Sequence, residues 1–146
     1  MNNDHSSGKA VEGCIFCQIS EGRIPSIRIY EDSDFIAFMD ISPMTEGHFL
    51  IVPRGHYELL EDVPDQTLAK VLPLAKKLSN AAMAGLGLEG FNLLQNNGES
   101  AGQAVGHWHM HVIPRQDKKE WPQPAGAAAD LTKLPFVAEK IRINVD

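Results

Sequence analysis

The stretch Gly106-His107-Trp108-His109-Met110-His111-Val112-Ile113-Pro114-Arg115 places three histidines at alternate positions. A β-strand turns successive side chains to opposite faces, so His107, His109 and His111 share one face and Trp108, Met110 and Val112 the other. The spacing predicts a strand with one apolar face for a core and a second face crowded with imidazoles. Half of the six histidines in the chain sit here. Neutral imidazoles near pH 7 serve metal ligation, proton transfer or nucleophilic attack better than packing. One could attack phosphorus or a carbonyl, a second could protonate the leaving group, and a third could steady developing negative charge. Alternate histidines could equally ligate a metal, and a solvated polar strand face is the plain alternative to both. Gly98, Gly102 and Gly106 just upstream favour a phosphate site, because glycine lets backbone amides approach an anion closely.

Upstream of the histidines, residues 91–95 read as a strand and residues 96–102 as a polar, glycine-bearing loop. Leu68, Leu72, Ala75, Leu78 and Ala82 recur at helical spacing over residues 65–85 and predict one long helix, bent or irregular at Pro73. Residues 15–24 fit a short helix ended by Ile24-Pro25. Residues 27–31, 35–40 and 47–53 read as three further strands in a meander. Downstream, residues 116–129 are loop-like, and residues 130–143 form a closing helix with Asp130 as its N-cap. Together these predict an α+β fold: a five-stranded antiparallel meander sheet carrying one long helix and short helices.

With 146 residues, 43% of them hydrophobic, the chain is expected to form one domain with a substantial core over residues 13–146. Residues 1–12 are small and polar and read as a disordered tail, not a signal peptide. No run approaches the ~20 apolar residues that span a bilayer, so a cytoplasmic protein without membrane attachment is expected. The net charge of −6 argues against a broad nucleic-acid surface but leaves room for a pocket that takes one small phosphate compound. The only cysteines, Cys14 and Cys17, form a C-x-x-C pair. Without a secretion signal a structural disulfide is disfavoured, which leaves a redox pair or half of a zinc site.

The alternating histidines resemble the signature of the histidine triad (HIT) superfamily of nucleotide hydrolases and transferases, and Gln103 falls where that family has a glutamine. Ile15-Phe16, Ile24-Pro25, Glu31-Asp32, Ala37-Phe38, Asp40-Ile41-Ser42-Pro43, His48-Phe49-Leu50-Ile51-Val52-Pro53 and Asn96 also match the family's nucleotide-binding branch. The likeness runs from Ile15 to Arg115 without insertion or deletion.

The resemblance implies a role for each matching residue. His109 corresponds to the nucleophile that forms a covalent nucleotidyl-histidine on the α-phosphate. His111 corresponds to the residue that contacts a phosphate oxygen and assists the leaving group. His107 would orient His109 through its backbone carbonyl, and His48 would be a fourth histidine in the site. Asp40 would hold the ribose hydroxyls, Ile15, Phe16, Ile19, Phe38 and Ile41 would form the purine slot, Asn96 would lie near the phosphate, and Gln103 would be a further substrate-binding residue. At position 104 the branch commonly has serine, where this chain has Ala104, so phosphoramidate cleavage is expected to be slower or the leaving group different. Relatives carry a structural zinc on such a cysteine pair plus two histidines, which implies Cys14, Cys17, His56 and His107 here. The family also implies a homodimer with sheets joined edge to edge, and a purine nucleotide as the small-molecule partner. The implied activity is nucleotide hydrolysis or nucleotidyl transfer at the α-phosphate of a purine nucleoside monophosphate derivative. A dinucleoside polyphosphate hydrolase, a nucleotide-binding scaffold and a metal-dependent hydrolase using the triad as ligands are the alternatives. Trp108 and Met110 are expected in the core, Trp121 at the surface or over the leaving group at a dimer seam, and Lys118-Lys119 in solvent.

Overall fold

The apolar runs 35–39 and 49–53 become β2 (Phe35–Met39) and β3 (Phe49–Pro53), and every residue in both strands is buried. The structure, a computed structural model, describes residues 8–116, 121 and 130–146. The two strands lack polar alternation because both faces of the sheet are covered. On one face Phe35, Ala37, Met39, Phe49 and Ile51 pack against Val71, Ala75, Leu78 and Ala82 of α2 (Asp65–Leu86) and Val137, Ala138 and Ile141 of α3 (Leu134–Arg142). On the other, Ile36, Phe38, Leu50 and Val52 pack against Phe16 and Ile19 of α1 (Ile15–Ser20).

β1 (Arg28–Glu31), β2 and β3 form the expected antiparallel meander. Beyond β3 the strand order departs from a meander. The chain crosses on α2, β4 (Gly90–Leu94) enters at the far edge, and β5 (Met110–Arg115) returns between β4 and β3. The order β1-β2-β3-β5-β4 thus places the histidine-bearing segment inside the sheet, paired on both sides.

The histidine segment follows the predicted alternation, but β5 begins at Met110 and not at His107. Continuing the register of Ile51 with Met110 would bring Pro53 opposite Trp108, and proline has no N–H for the ladder. The Pro53 carbonyl instead accepts from the His107 ring at 2.8 Å, and the Trp108 N–H goes to the Tyr57 carbonyl.

Helix α2 runs through Pro73 and ends one residue past the predicted limit, with Gly87 in the left-handed region at φ 68° as its cap. Asp130 does not cap α3, correcting that expectation. The helix starts at Leu134 after Lys133, and the Asp130 carboxylate accepts from the N–H and hydroxyl of Thr132 one turn earlier. Residues 8–12, expected within the tail, are tied down in part. Gly8 exchanges backbone hydrogen bonds with His56, and the Val11 N–H points at Cys17 Sγ, 3.4 Å away. The expectations for residues 1–7, for most of the 116–129 loop and for Lys118-Lys119 fall outside the described residues. Among the described residues no helix is long and apolar enough to cross a membrane.

Candidate active site and metal cluster

Burial of Trp108 and Val112 in the helical core turns His107, His109 and His111 to the α1 face of the sheet. There His109 and His111 line a cavity of about 710 Å³ together with His48, Asp40, Asn96 and the expected apolar residues Ile15, Phe16, Ile19, Phe38 and Ile41. Helix α1, which supplies three of these, is held by its C-terminal end. Arg54 donates to the Ser20 carbonyl at 2.9 Å and Arg28 to the Ile19 carbonyl, satisfying backbone acceptors that the helix leaves open.

The ring proton of His109 is placed by the backbone. Its Nδ1 lies 2.7 Å from the His107 carbonyl, an acceptor, so Nδ1 carries the hydrogen and Nε2 keeps its lone pair. Phe16 packs edge-on against the His109 ring with centroids 5.1 Å apart. Burial holds the His109 pKa below the usual imidazole value, although the His107 carbonyl and Asp40 oppose the shift.

The protons on His48 and His111 follow by the same logic. The Met44 N–H donates to His48 Nδ1 at 3.0 Å, which puts the neutral His48 proton on Nε2. That nitrogen lies 2.9 Å from His111 Nδ1, which must then accept, leaving the His111 hydrogen on Nε2. The cavity wall thus carries an imidazole lone pair on His109 and an imidazole N–H on His111, in rings whose centroids are 5.0 Å apart. Burial pushes His111 down to about 4 and lowers His48, so both are neutral at pH 7. Asp40 receives the Ser42 N–H on Oδ1 and holds Oδ2 3.5 Å from His48 Nε2.

Asn96 and Gly102 lie together on the cavity wall, with Asn96 Nδ2 3.4 Å from the Gly102 carbonyl. Gly102 has φ 95°, a region that disfavours side chains. Gln103, expected to bind substrate, is not among the residues lining the cavity. Its Oε1 accepts the Gly98 N–H at 2.7 Å, and its Nε2 donates to the Glu58 and Val105 carbonyls at 2.8 and 3.1 Å. It is buried and engaged with backbone, so it staples the 98–106 loop and does not line the cavity. The Met44 N–H, which sets the His48 tautomer, had no signature in the sequence because a backbone donor has no residue type.

His107 turns away from the cavity. Its Nε2 donates to the Pro53 carbonyl, so Nδ1 presents a lone pair 3.4 Å from Cys14 Sγ and 3.6 Å from Cys17 Sγ. His56 Nδ1 lies 3.3 Å from Cys17 Sγ. The four donor atoms of Cys14, Cys17, His56 and His107 all lie within 4.8 Å of one another. Around a tetrahedral ion with Zn–S and Zn–N bonds of ordinary length, sulfur and nitrogen would be about 3.5 Å apart, so the set fits such an ion. Burial pushes the Cys17 thiol up to about 11, which makes it a poor redox nucleophile. Asp40, His48 and His111 also meet within 4.8 Å, but the proton fixed on His48 Nε2 fills the space a cation would need. The triad itself does not converge on one point, since His107 faces the cysteines while His109 and His111 face the cavity. Trp121 is exposed beneath the Arg115 guanidinium, 5.4 Å from its ring.

A family model described as the HIT domain matches residues 21–118. An adenosine 5'-monophosphoramidase of Candida albicans is 40% identical over 141 residues, covering 88% of this chain and 89% of the relative. An adenylylsulfatase of Arabidopsis thaliana is 37% identical over 126 residues, covering 80% of this chain and 64% of the relative. Among solved structures, a zinc-bound histidine triad family protein from Mycobacterium smegmatis superposes with a TM-score of 0.81 at 34% identity, covering 91% of this chain and 93% of that one. With the family match spanning β1 to β5 and a relative aligned along most of its length, the chain belongs to the HIT domain family.

Proposed function

We propose that the protein hydrolyses purine nucleoside monophosphate derivatives at the α-phosphate through a covalent nucleotidyl-His109 intermediate. The carrying observation is the opposed pair of imidazole nitrogens on one cavity wall, a lone pair on His109 and an N–H on His111. His109 Nε2 attacks the α-phosphorus, and the bond from phosphorus to the leaving group breaks. The His111 N–H hydrogen-bonds the phosphate oxygen where negative charge builds and assists the departing group. Water then attacks the same phosphorus, the bond to His109 breaks, and the nucleoside monophosphate is released. The activities carried in the names of the Candida and Arabidopsis relatives support this reaction class.

The described cavity lining contains no lysine or arginine, and its ionisable groups are Asp40, His48, His109 and His111. A polyphosphate chain would bring several negative charges to a wall without a fixed cation, so a leaving group such as an amine or sulfate fits better than a second nucleotide. Ala104 lies on this wall without a hydroxyl for the leaving group, which supports slow phosphoramidate cleavage. The deciding experiment is acid-free quenching with adenosine 5'-phosphoramidate followed by peptide mass mapping. An adenylyl adduct on His109, absent in His109→Ala, is expected, and an adduct on another residue or normal turnover by His109→Ala overturns the reading.

Cys14, Cys17, His56 and His107 would hold one structural zinc ion, supported by the donor spacing and by the zinc-bound Mycobacterium relative. A closed set of two thiolates and two imidazoles supplies cross-linking and leaves no open position for substrate. Metal analysis should find about one zinc per chain, lost in Cys17→Ser. Among the described residues strand β4 pairs only with β5 and carries the partly exposed Phe91 and Leu93, an edge that a homodimer would cover. Sedimentation at micromolar concentration should give twice the chain mass.

A further inference from the structure

The cavity lining is mostly apolar and carries a small set of polar groups. Asp40, His109, His111 and Asn96 are among these polar groups, where the phosphate and ribose of a nucleotide would sit under the reading above. Apart from His48, Ser26, Ser42 and Gly102 the remaining wall is apolar, and three of its aliphatic side chains, Ile15, Ile41 and Leu131, are exposed. Leu131 comes from the turn that leads into α3, outside both the matched family segment and the residues so far given a role. An aliphatic side chain left 52% exposed on a binding cavity gains little from its own fold and has contact area to offer a ligand.

The turn holds Leu131 in place. Asp130 accepts from the Thr132 N–H at 3.0 Å and from the Thr132 hydroxyl at 2.6 Å. The Lys133 N–H returns to the Asp130 carbonyl at 3.2 Å. Leu134, three residues on, is buried in the helical core and also lines the cavity. Asp130, Lys133 and Leu134 further share a small cleft with Pro43, Glu46 and Gly47, which sets the turn against the loop following Asp40 and Ile41.

We propose that Leu131 is a specificity-determining residue of the nucleobase slot, its side chain packing on the base beside Ile41 and Ile15. The proposal rests on the nucleotide reading of the site. A side chain with only dispersive contacts to offer acts on the base and not on the phosphate or ribose, because those groups demand polar partners.

Calorimetric titration of the full chain with AMP and with ribose 5-phosphate tests it. Truncating Leu131→Ala removes three carbons from one wall of the slot. AMP binding is expected to weaken about five- to tenfold, with KM for adenosine 5'-phosphoramidate rising in parallel. Ribose 5-phosphate, which lacks the base, should bind wild type and variant equally, and Leu131→Met should restore AMP affinity. If Ile41→Ala weakens AMP while Leu131→Ala stays within twofold of wild type, the role of Leu131 fails and the nucleotide reading stands. An equal loss for ribose 5-phosphate, or a loss not recovered by Leu131→Met, marks a general distortion and overturns the proposal too. If wild type binds no AMP at all, the nucleotide reading itself has failed.

Discussion

His107 holds His109 through its backbone while its own ring belongs to another site. The His107 carbonyl takes the His109 Nδ1 proton at 2.7 Å, and the His107 ring bridges the Pro53 carbonyl and the Cys14–Cys17 pair. The candidate metal cluster and the proposed nucleophile therefore meet in one residue, whose ring faces the cysteines and whose carbonyl fixes the His109 tautomer.

Loss of the cluster should be felt in stability and in catalysis together. Cys17→Ser, or wild type stripped with a strong chelator, is expected to unfold roughly 5–10 °C earlier, consistent with about 2 kcal/mol or more of lost cross-linking. Turnover should fall even though His109, His111 and His48 are untouched. Scanning calorimetry with and without added zinc checks the first point. A stripped protein with unchanged midpoint and rate would show that the four donors hold nothing.

In the proposed mechanism His48 acts on the reaction through His111. The Met44 N–H fixes the proton on His48 Nε2, and that proton fixes His111 with its own hydrogen facing the cavity. His48→Ala frees His111 to adopt either tautomer, and kcat should fall about 10²-fold, the lower range for a misplaced proton donor. The adenylyl adduct on His109 should still form, only more slowly. A variant at wild-type rate would remove His48 from the mechanism.

The same pair makes the fold sensitive to acid. An unfolded imidazole titrates near 6.5, at about its free value. Burial holds folded His111 down at about 4 and lowers His48. Between those values the unfolded chain binds more protons than the folded one, so stability rises with pH there. It is complete above about 6.5 and declines as the pH falls toward 4. Ring resonances of His111 followed by NMR should titrate near the lower figure, and a midpoint at the free value would refute the assignment.

Gln103 separates a contact role from a scaffolding role. Its three hydrogen bonds to Gly98, Glu58 and Val105 use both amide N–H groups and one lone pair of Oε1, and the side chain does not line the cavity. Gln103→Ala leaves one buried donor and two acceptors unpaired and should cost about 1–3 kcal/mol of stability. Gln103→Glu keeps the shape but sets a carboxylate against two carbonyls, so it should destabilise at least as much. If Gln103→Glu kept full stability and lost only KM, the residue would face the substrate after all.

Alternation and apolar runs were enough to place most strands and to separate the two faces of the histidine segment, while the role proposed for His109 came from the family resemblance. The two fully buried strands around Ile36 and Leu50 were legible because nothing polar interrupts them. The insertion of β5 between β3 and β4 was not, since hydrogen-bond partners across a helical crossover leave no local mark. The same holds for Gln103, whose partners are carbonyls and an amide. Asp130 was misread because an Asx turn and an N-cap ask for the same residue type, and only the position of Pro135 next to the true helix start separates them.

Gly85 was read as the end of the long helix, and its real reason is tertiary. Helix α2 continues to Leu86, and the left-handed cap falls to Gly87. A Cβ placed on Gly85 would run into the backbone carbonyl of Lys140 in α3 and approach the Asn144 side chain. Helix propensity alone would make Gly85→Ala stabilising by about 0.5–1 kcal/mol. The collision is with backbone, which cannot rotate aside, so α3 must shift and loosen Val137, Ala138 and Ile141 in the core. Overpacking of this kind costs about 1–3 kcal/mol and should outweigh the gain. Gly87→Ala is the control: no atom meets its Cβ, and its cost comes only from φ 68°. Urea unfolding should show Gly85→Ala destabilised with α3 more open to proteolysis, and Gly87→Ala destabilised without that opening. A Gly85→Ala protein more stable than wild type would show that the two helices pass with room to spare.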